Sequence, residues 1–417
     1  MPSSTTFSPI ERRDDFIPVI VGGDLGAYAV GREFYEAFGV RSYCIAPAPI
    51  SAISRSAIFD VVPLRKMDAE HIRETICDLA RTAGGKRLFV TSNMDMHVEN
   101  IARIRDSLPQ GVVVLAASLD AIHAVDTKES FARLAAEHGV RLPKTVNVSL
   151  AGDAPVEPWP DAFPVIVKAS SSVEYVPARR KGFDKVYLLQ SQAEVDDLFR
   201  RLREVGFSGT MLMQQPVFGD DTFKRSLTVY LDRRGELVLD TGAQVLLEDH
   251  KPDMIGNPVT MVTRDLSAFS RGAVELLRSV GWHGPANFDL KVDERTGELF
   301  VFECNPRLGR NSYYVSASAV NPMWLGVKDL LDEEDLPLFT HRETALYSVV
   351  PLRLALRYLS GDLASEARSL IRAGRAVNPT KAPFEHDLRR NLTETAIGLN
   401  YYRKFAKYYP RINATGI

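Results

Sequence analysis

At 417 residues the chain is longer than one hydrophobic core usually supports, so two or three domains are expected. Lys and Arg number 51 against 53 Asp and Glu, which excludes a global field drawing the chain onto nucleic acid or an anionic membrane; any anion site must be local. Three widely spaced cysteines, Cys44, Cys77 and Cys304, exclude a disulfide framework and a cysteine-rich zinc site, and fit a reducing compartment, by default the cytoplasm.

Residues 1–15 lack the basic and apolar regions of a signal peptide and read as a mobile tail. No apolar run approaches the roughly 20 residues that cross a bilayer, so no membrane insertion is expected. From Ile17 the pattern runs strand, glycine turn, helix, strand, with further strands at 87–91 and 112–115 and helices at 69–83 and 98–107. This predicts an N-terminal α/β domain with a parallel sheet over 16–125, its loops facing a ligand at the strand C-terminal ends. Gly22, Gly23 and Gly26 do not give the spaced dinucleotide fingerprint, and no acidic residue ends the second strand. A turn that merely packs and a ligand loop both remain open there.

A helix is expected from Asp126, where Asp126 and Glu129 have capping-box spacing, to about His138. The character then changes to α+β. Short strands are predicted at 165–169, 185–189, 210–214, 226–232 and 236–241, with helices at 191–204 and 265–280. A domain over 126–330 with a break near 210 follows, and 331–417 reads as a helical, basic C-terminal extension.

Two alternating segments, 286–292 and 299–305, flank Asp293-Glu294-Arg295-Thr296-Gly297-Glu298 and predict a hairpin. If Glu294 faces Glu298, Asp289 lies across from Glu303, with Cβ atoms roughly 4.5–5.5 Å apart. Asn287, Lys291 and Asn305 then share that face, and Phe288, Leu290, Phe302 and Cys304 the other. Facing carboxylates cost stability unless a cation sits between them, and all-oxygen donors suit Mg²⁺. A wet face compensated by Lys291 is the alternative on pattern alone.

Phe302-Glu303-Cys304-Asn305-Pro306-Arg307, with Asp289 fourteen positions before Glu303, resembles the Glu-x-Asn-x-Arg signature of the ATP-grasp ligases. The resemblance implies that Asp289, Glu303 and Asn305 hold two Mg²⁺ ions and that Arg307 steadies the transferred phosphoryl group of ATP. Lys128 and Lys168 resemble the family's phosphate lysines, and Ser170, Ser171 and Ser172 stand where a glycine-rich loop usually covers the phosphates. Gln214, Gln215 and Val217 resemble the adenine hinge, with Asp220 or Asp221 toward the ribose. Lys251, 38 residues before Asp289, stands near where some members aim a lysine at the reacting centre.

A narrower likeness, carried by Pro18–Asp24, Tyr28, Arg32-Glu33-Phe34, Asn305–Tyr314 and Asn400–Phe405, is to D-aspartate ligases and related amino-acid ligases of peptidoglycan assembly. It implies a carboxylate activated as an acyl phosphate and then attacked by an amine. The acid would be D-aspartate and the amine a stem-peptide side chain, carried for example on a UDP-linked muramyl peptide. Arg310 is the candidate for a second substrate carboxylate, and Gly23, Asp24 and Arg32 for the acceptor side. A homo-oligomer, another ATP-grasp activity, and a non-catalytic nucleotide-binding homologue stay open. The stripe Tyr401, Phe405, Tyr408 suits packing onto the body better than a membrane surface.

Overall fold

The computed structural model describes all residues except 1–9, 153–155, 172–173, 253 and 412–417. The N-terminal region contains β1 (Phe16–Val21), α1 (Leu25–Phe38), β2 (Ser42–Ala46), α2 (Ser51–Ser54), β3 (Phe59–Pro63), α3 (Ala69–Thr82), β4 (Arg87–Thr91), α4 (Asp95–Ile104) and β5 (Val112–Val114). Its five strands lie in the order β3-β2-β1-β4-β5, all parallel, as the βαβ reading expects. The glycine turn is tightly packed. Gly22 adopts φ 125°, and a Cβ on Gly23 would come within 2.8 Å of Ala46 and Pro49, and one on Gly26 within 2.2 Å of the Asn93 amide. The tail expected over 1–15 lies largely outside the described residues. From Glu11 the chain is tied down: Glu11 N–H donates to Ala37 O at 2.8 Å, and Arg13 bridges Asp15 and Asp332.

Next come α5 (Leu119–Asp126) and α6 (Lys128–Glu137). The helix expected from Asp126 to about His138 is α6, which starts two residues later, and α5 is a further helix before it. Thr127, extended at ψ 130°, separates them, and Lys128 rather than Asp126 opens the second. A four-stranded sheet follows, formed by β6 (Thr145–Ser149), β7 (Val165–Ala169), β8 (Val186–Leu189) and β9 (Thr210–Gln214) in the order β6-β9-β7-β8, with α7 (Val176–Arg180) and α8 (Gln192–Glu204). In α8, Val195, Leu198, Phe199 and Leu202 recur at helical spacing and are all buried, giving this sheet its own core with Val165, Val167, Met211 and Met213.

The third sheet is built on β10 (Lys224–Leu231), β11 (Leu237–Glu248), β12 (Pro258–Arg264), β13 (Gly284–Val292) and β14 (Leu299–Asn305), with α9 (Ser267–Ser279) packed nearby. After α10 (Tyr313–Ser318) and α11 (Pro322–Leu330), the C-terminal part returns three short strands to this sheet: β15 (Phe339–Thr340), β16 (Leu346–Ser348) and β17 (Ala376–Val377). Its helices are α12 (Leu352–Ala355), α13 (Gly361–Arg372) and α14 (Leu388–Tyr408). The extension is thus helical but also completes a sheet.

The chain divides into two compact units. The larger comprises Met1–Val140, Asp221–Leu290 and Glu303–Ile412, and the smaller chiefly Arg141–Asp220 and Lys291–Phe302. In the larger, one core joins Phe16, Phe34 and Phe89 of the parallel domain to Tyr230, Met261, Tyr314, Met323 and Trp324. Each such side chain contributes about 1.5–3 kcal/mol on burial. Phe405 and Tyr409 are buried against Leu247, Val259, Leu354 and Ala355, so the aromatic stripe of α14 packs on the body, with Tyr409 rather than Tyr408 completing it. Among the described residues no helix is long and apolar enough to cross a membrane.

Candidate active site

Period-two alternation buries Phe288 and Leu290 on one face of β13 and leaves Asn287 and Asp289 to the other. The hairpin closes differently from the expected register. Asp293, not Glu294, faces Glu298: Asp293 N–H donates to Glu298 O at 2.8 Å, and Gly297 N–H, with φ 72°, donates to Asp293 O at 2.8 Å. The Asp293 carboxylate decides this, since it accepts from the N–H groups of Arg295 at 2.9 Å and Phe218 at 2.9 Å and so anchors the turn. Asp289 and Glu303 nonetheless come close enough for the charge of one to act on the other.

Around them, Asn305 Nδ2 donates to Asp289 Oδ2 at 3.2 Å and to Asn287 O at 3.3 Å, and Asn287 Nδ2 donates to Asp289 Oδ1 at 3.3 Å. Asn287 is oriented from behind by the hydroxyls of Ser226 and Thr228, at 2.9 and 3.0 Å. Burial first, and then the Glu303 charge, push the Asp289 carboxyl well above the usual range; Arg307 and Asn305 act the other way. Such strain between carboxyls is what a divalent cation relieves. Among the described residues no three His, Cys, Asp or Glu side chains form a metal cluster. The donors that fit an ion are two carboxylates and an amide oxygen, a set suited to Mg²⁺ completed by water or phosphate oxygens.

Arg307 is held over this face. Its Nη2 donates to Asn305 Oδ1 at 3.0 Å and to Asp95 Oδ2 at 3.0 Å, with Nε 3.0 Å from Asp95 Oδ1. Asp95 opens α4, just past the C-terminal end of β4. Arg310 Nε lies 3.5 Å from Asp24, whose other oxygen caps α1 at Ala27 N–H, 3.0 Å, and accepts from Asn93 at 2.8 Å. Sequence reasoning missed Asp95 and Asn93; the one available signal was their place after a parallel strand, where such loops face ligands. Asn287, Asp289, Glu303, Arg307 and Arg310 line one pocket of about 260 Å³ with Leu25 and the turn residues Ile255–Pro258. Lys128, at the start of α6, feels the Glu303 charge, while partial burial draws its ammonium pKa down.

Other predicted residues fall elsewhere. Asp221, expected toward a ribose, is 3% exposed and turned inward: its Oδ2 accepts Glu248 N–H at 2.8 Å and pairs with His250 Nε2 at 2.8 Å. Lys251 follows in the loop, with its N–H on Asp249 Oδ1 at 3.2 Å. Arg32, expected to help close an acceptor side, is 7% exposed, stacks on Tyr313 at 4.2 Å, donates to the carbonyls of Asn378 and Pro379 at 2.9 Å, and lines a separate cavity of about 1240 Å³.

Within the smaller unit, Lys168 on β7 has its ammonium 6.0 Å from the Phe302 ring centroid. Ser170 N–H donates to Thr210 O at 2.9 Å, and Ser171 Oγ accepts Glu174 N–H at 3.2 Å. Ser172 lies outside the described residues. Gln214 ends β9 with its side chain on Thr145 at 2.9 Å, Gln215 pairs with the Lys144 backbone, and Val217 is buried.

No protein-family model matches the sequence. The chain is 26% identical over 414 residues to the D-aspartate ligase of Enterococcus faecium (strain Aus0004), covering 95% of this chain and 97% of that one. Its fold is similar to biotin carboxylase of Campylobacter jejuni in complex with a β-γ ATP compound, TM-score 0.56, 14% identical, covering 79% of this chain and 74% of that one. It is also similar to the L-amino acid ligase of Bacillus licheniformis, TM-score 0.52, 14% identical, covering 77% and 75%. The Asp289–Glu303–Asn305–Arg307 constellation is thus carried on a fold similar to those of a biotin carboxylase and an L-amino acid ligase, in a chain similar nearly end to end to a D-aspartate ligase.

Proposed function

We propose that the protein activates the carboxylate of an amino acid, D-aspartate, with ATP and joins it to the side-chain amine of a peptidoglycan stem peptide. The observation that carries this reading is the pocket of about 260 Å³ in which Asp289, Glu303, Arg307 and Arg310 converge. Its support for the choice of acid is the end-to-end likeness to a D-aspartate ligase.

The chemistry follows from the residues. Phosphoryl transfer to a carboxylate needs positioning and charge neutralisation more than proton transfer. Arg307, fixed by Asp95 and Asn305, supplies a rigid cation to the equatorial oxygens of the moving phosphoryl group. Mg²⁺ bound by Asp289, Glu303 and Asn305 would neutralise the phosphate charge. Lys128 brings a further cation, and by the family resemblance Lys168, Ser170 and Gln214–Val217 are read as nucleotide-binding residues. Arg310 takes the second carboxylate of the amino acid. The buried Asp221 is not assigned to the nucleotide.

Phosphate release with ATP, Mg²⁺ and a panel of D- and L-amino acids tests the reading, with mass analysis of the product from D-aspartate and a UDP-linked muramyl pentapeptide. Release that is strongest with D-aspartate, with a product heavier by one aspartyl group, is expected. Nucleotide binding with no amino-acid-dependent release would overturn it in favour of a non-catalytic homologue.

A further inference from the structure

Leu25 and Arg310 line two cavities at once: the reaction pocket of about 260 Å³ and a second space of about 1240 Å³. The second is walled by α1, by the segment 374–385 and by the inward side of α14, including Glu394, Thr395 and Gly398. Its volume exceeds the roughly 300–1000 Å³ of ordinary small-molecule sites, whereas the reaction pocket is smaller than that range. A small acid fits the first; a lone amino acid would leave most of the second filled with water.

We infer that the larger cavity receives the amine-bearing co-substrate, that this molecule is peptide-sized, and that α14 is the wall that selects it. The inference rests on the ligase reading above and adds the place and size of the acceptor. The wall is built rather than incidental. Ser51 of α2 donates to Glu394 at 2.9 Å, and the fully buried Arg390 donates to Ala52 O at 3.1 Å and Thr380 O at 3.0 Å, so α14 is fixed to both the N-terminal domain and the 374–385 segment. Glu394 and Lys381 offer charges of opposite sign along the cavity, as a peptide with both charged and neutral polar groups requires. From the shared wall at Leu25 and Arg310 the amine nitrogen reaches the acyl carbon. The new C–N bond forms as the C–O bond to phosphate breaks, inorganic phosphate leaves, and the nitrogen proton passes to solvent.

Gly398→Phe and Thr395→Trp narrow this cavity without touching the reaction pocket. A Cβ at Gly398 meets only Pro351 Cγ, at 3.8 Å, and replacing a helical glycine favours the helix. Two nucleophiles are compared in the full chain with ATP, Mg²⁺ and D-aspartate: hydroxylamine, which needs no cavity, and a UDP-linked muramyl pentapeptide with lysine at position three. Both variants are expected to raise KM for the pentapeptide about tenfold or more while leaving hydroxamate formation within about twofold of wild type. An unchanged pentapeptide KM, or equal loss with both nucleophiles, would overturn the inference. If wild type forms no hydroxamate with any amino acid, the ligase reading itself fails; calorimetric binding of the pentapeptide to wild type and Gly398→Phe then decides the cavity separately, equal affinity sinking it.

Discussion

Arg307 is gripped from outside its own motif: Asp95 meets its guanidinium with both carboxylate oxygens, each 3.0 Å from a nitrogen, across 212 residues of sequence. The motif supplies the arginine, and the parallel domain supplies its aim. The Asp95 side chain is 49% exposed, so the pair adds little to stability. Asp95→Ala should therefore lower kcat by about 10–100-fold, the order expected when a catalytic group loses its placement, while the melting temperature barely moves. Steady-state phosphate release beside a thermal melt checks it; unchanged kcat would mean that Asn305 alone orients Arg307.

Glu303→Gln removes one of two carboxyls that strain each other. Turnover should be abolished, yet without Mg²⁺ the variant should be at least as thermally stable as wild type, because Asp289 loses a like-charged neighbour. Added Mg²⁺ and nucleotide should raise the wild-type melting temperature and leave the variant's nearly unchanged. A wild-type-sized Mg²⁺ response in the variant would place the ion elsewhere.

Glu33, fully buried in α1, has one oxygen on Ser316 at 2.7 Å and the other without a hydrogen-bond partner. Burial pushes its carboxyl up to about 8, above the ordinary value of 4.5. Below about 4.5 the group is protonated whether the chain is folded or not. Between there and about 8 only the unfolded chain ionises, so stability falls as pH rises, by about 1.4 kcal/mol per unit. Glu33→Gln should cancel this slope, so its stability relative to wild type should grow from pH 6 to 8 in urea melts. A constant difference across that range would show that Glu33 ionises normally in the fold.

Tyr409 stacks on His250 at 3.5 Å, and Lys404 pairs with Asp249 at 2.7 Å, next to the turn whose residues Ile255–Pro258 line the reaction pocket. Tyr409→Ala should speed amide hydrogen exchange in that turn and raise KM for the amino acid more than it lowers kcat. Exchange confined to α14 would show that the turn holds itself.

The strands that carry the proposed metal ligands were readable because alternation is a local signal: β14 runs Leu299–Asn305, the span predicted. The parallel domain was readable for the same reason, although β3 was not seen. What failed depended on contacts distant in sequence. The hairpin register turned on the hydrogen bonds of Asp293, including one from Phe218. The inward turn of Asp221 depends on Glu248 and His250, 27 and 29 residues further along the chain. The strands β15, β16 and β17 have two or three residues each, too few to show a period, and only pairing to the sheet defines them. Asp95 had no motif around it at all.

The stacking of His250 on Tyr409 also bears on synthesis. The turn beside the reaction pocket is braced by a ring roughly 160 residues further along. During translation, the hairpin of β13 and β14 and Arg307 leave the ribosome well before that ring does. A nascent chain can thus own every residue of the motif and still lack a finished pocket until α14 docks.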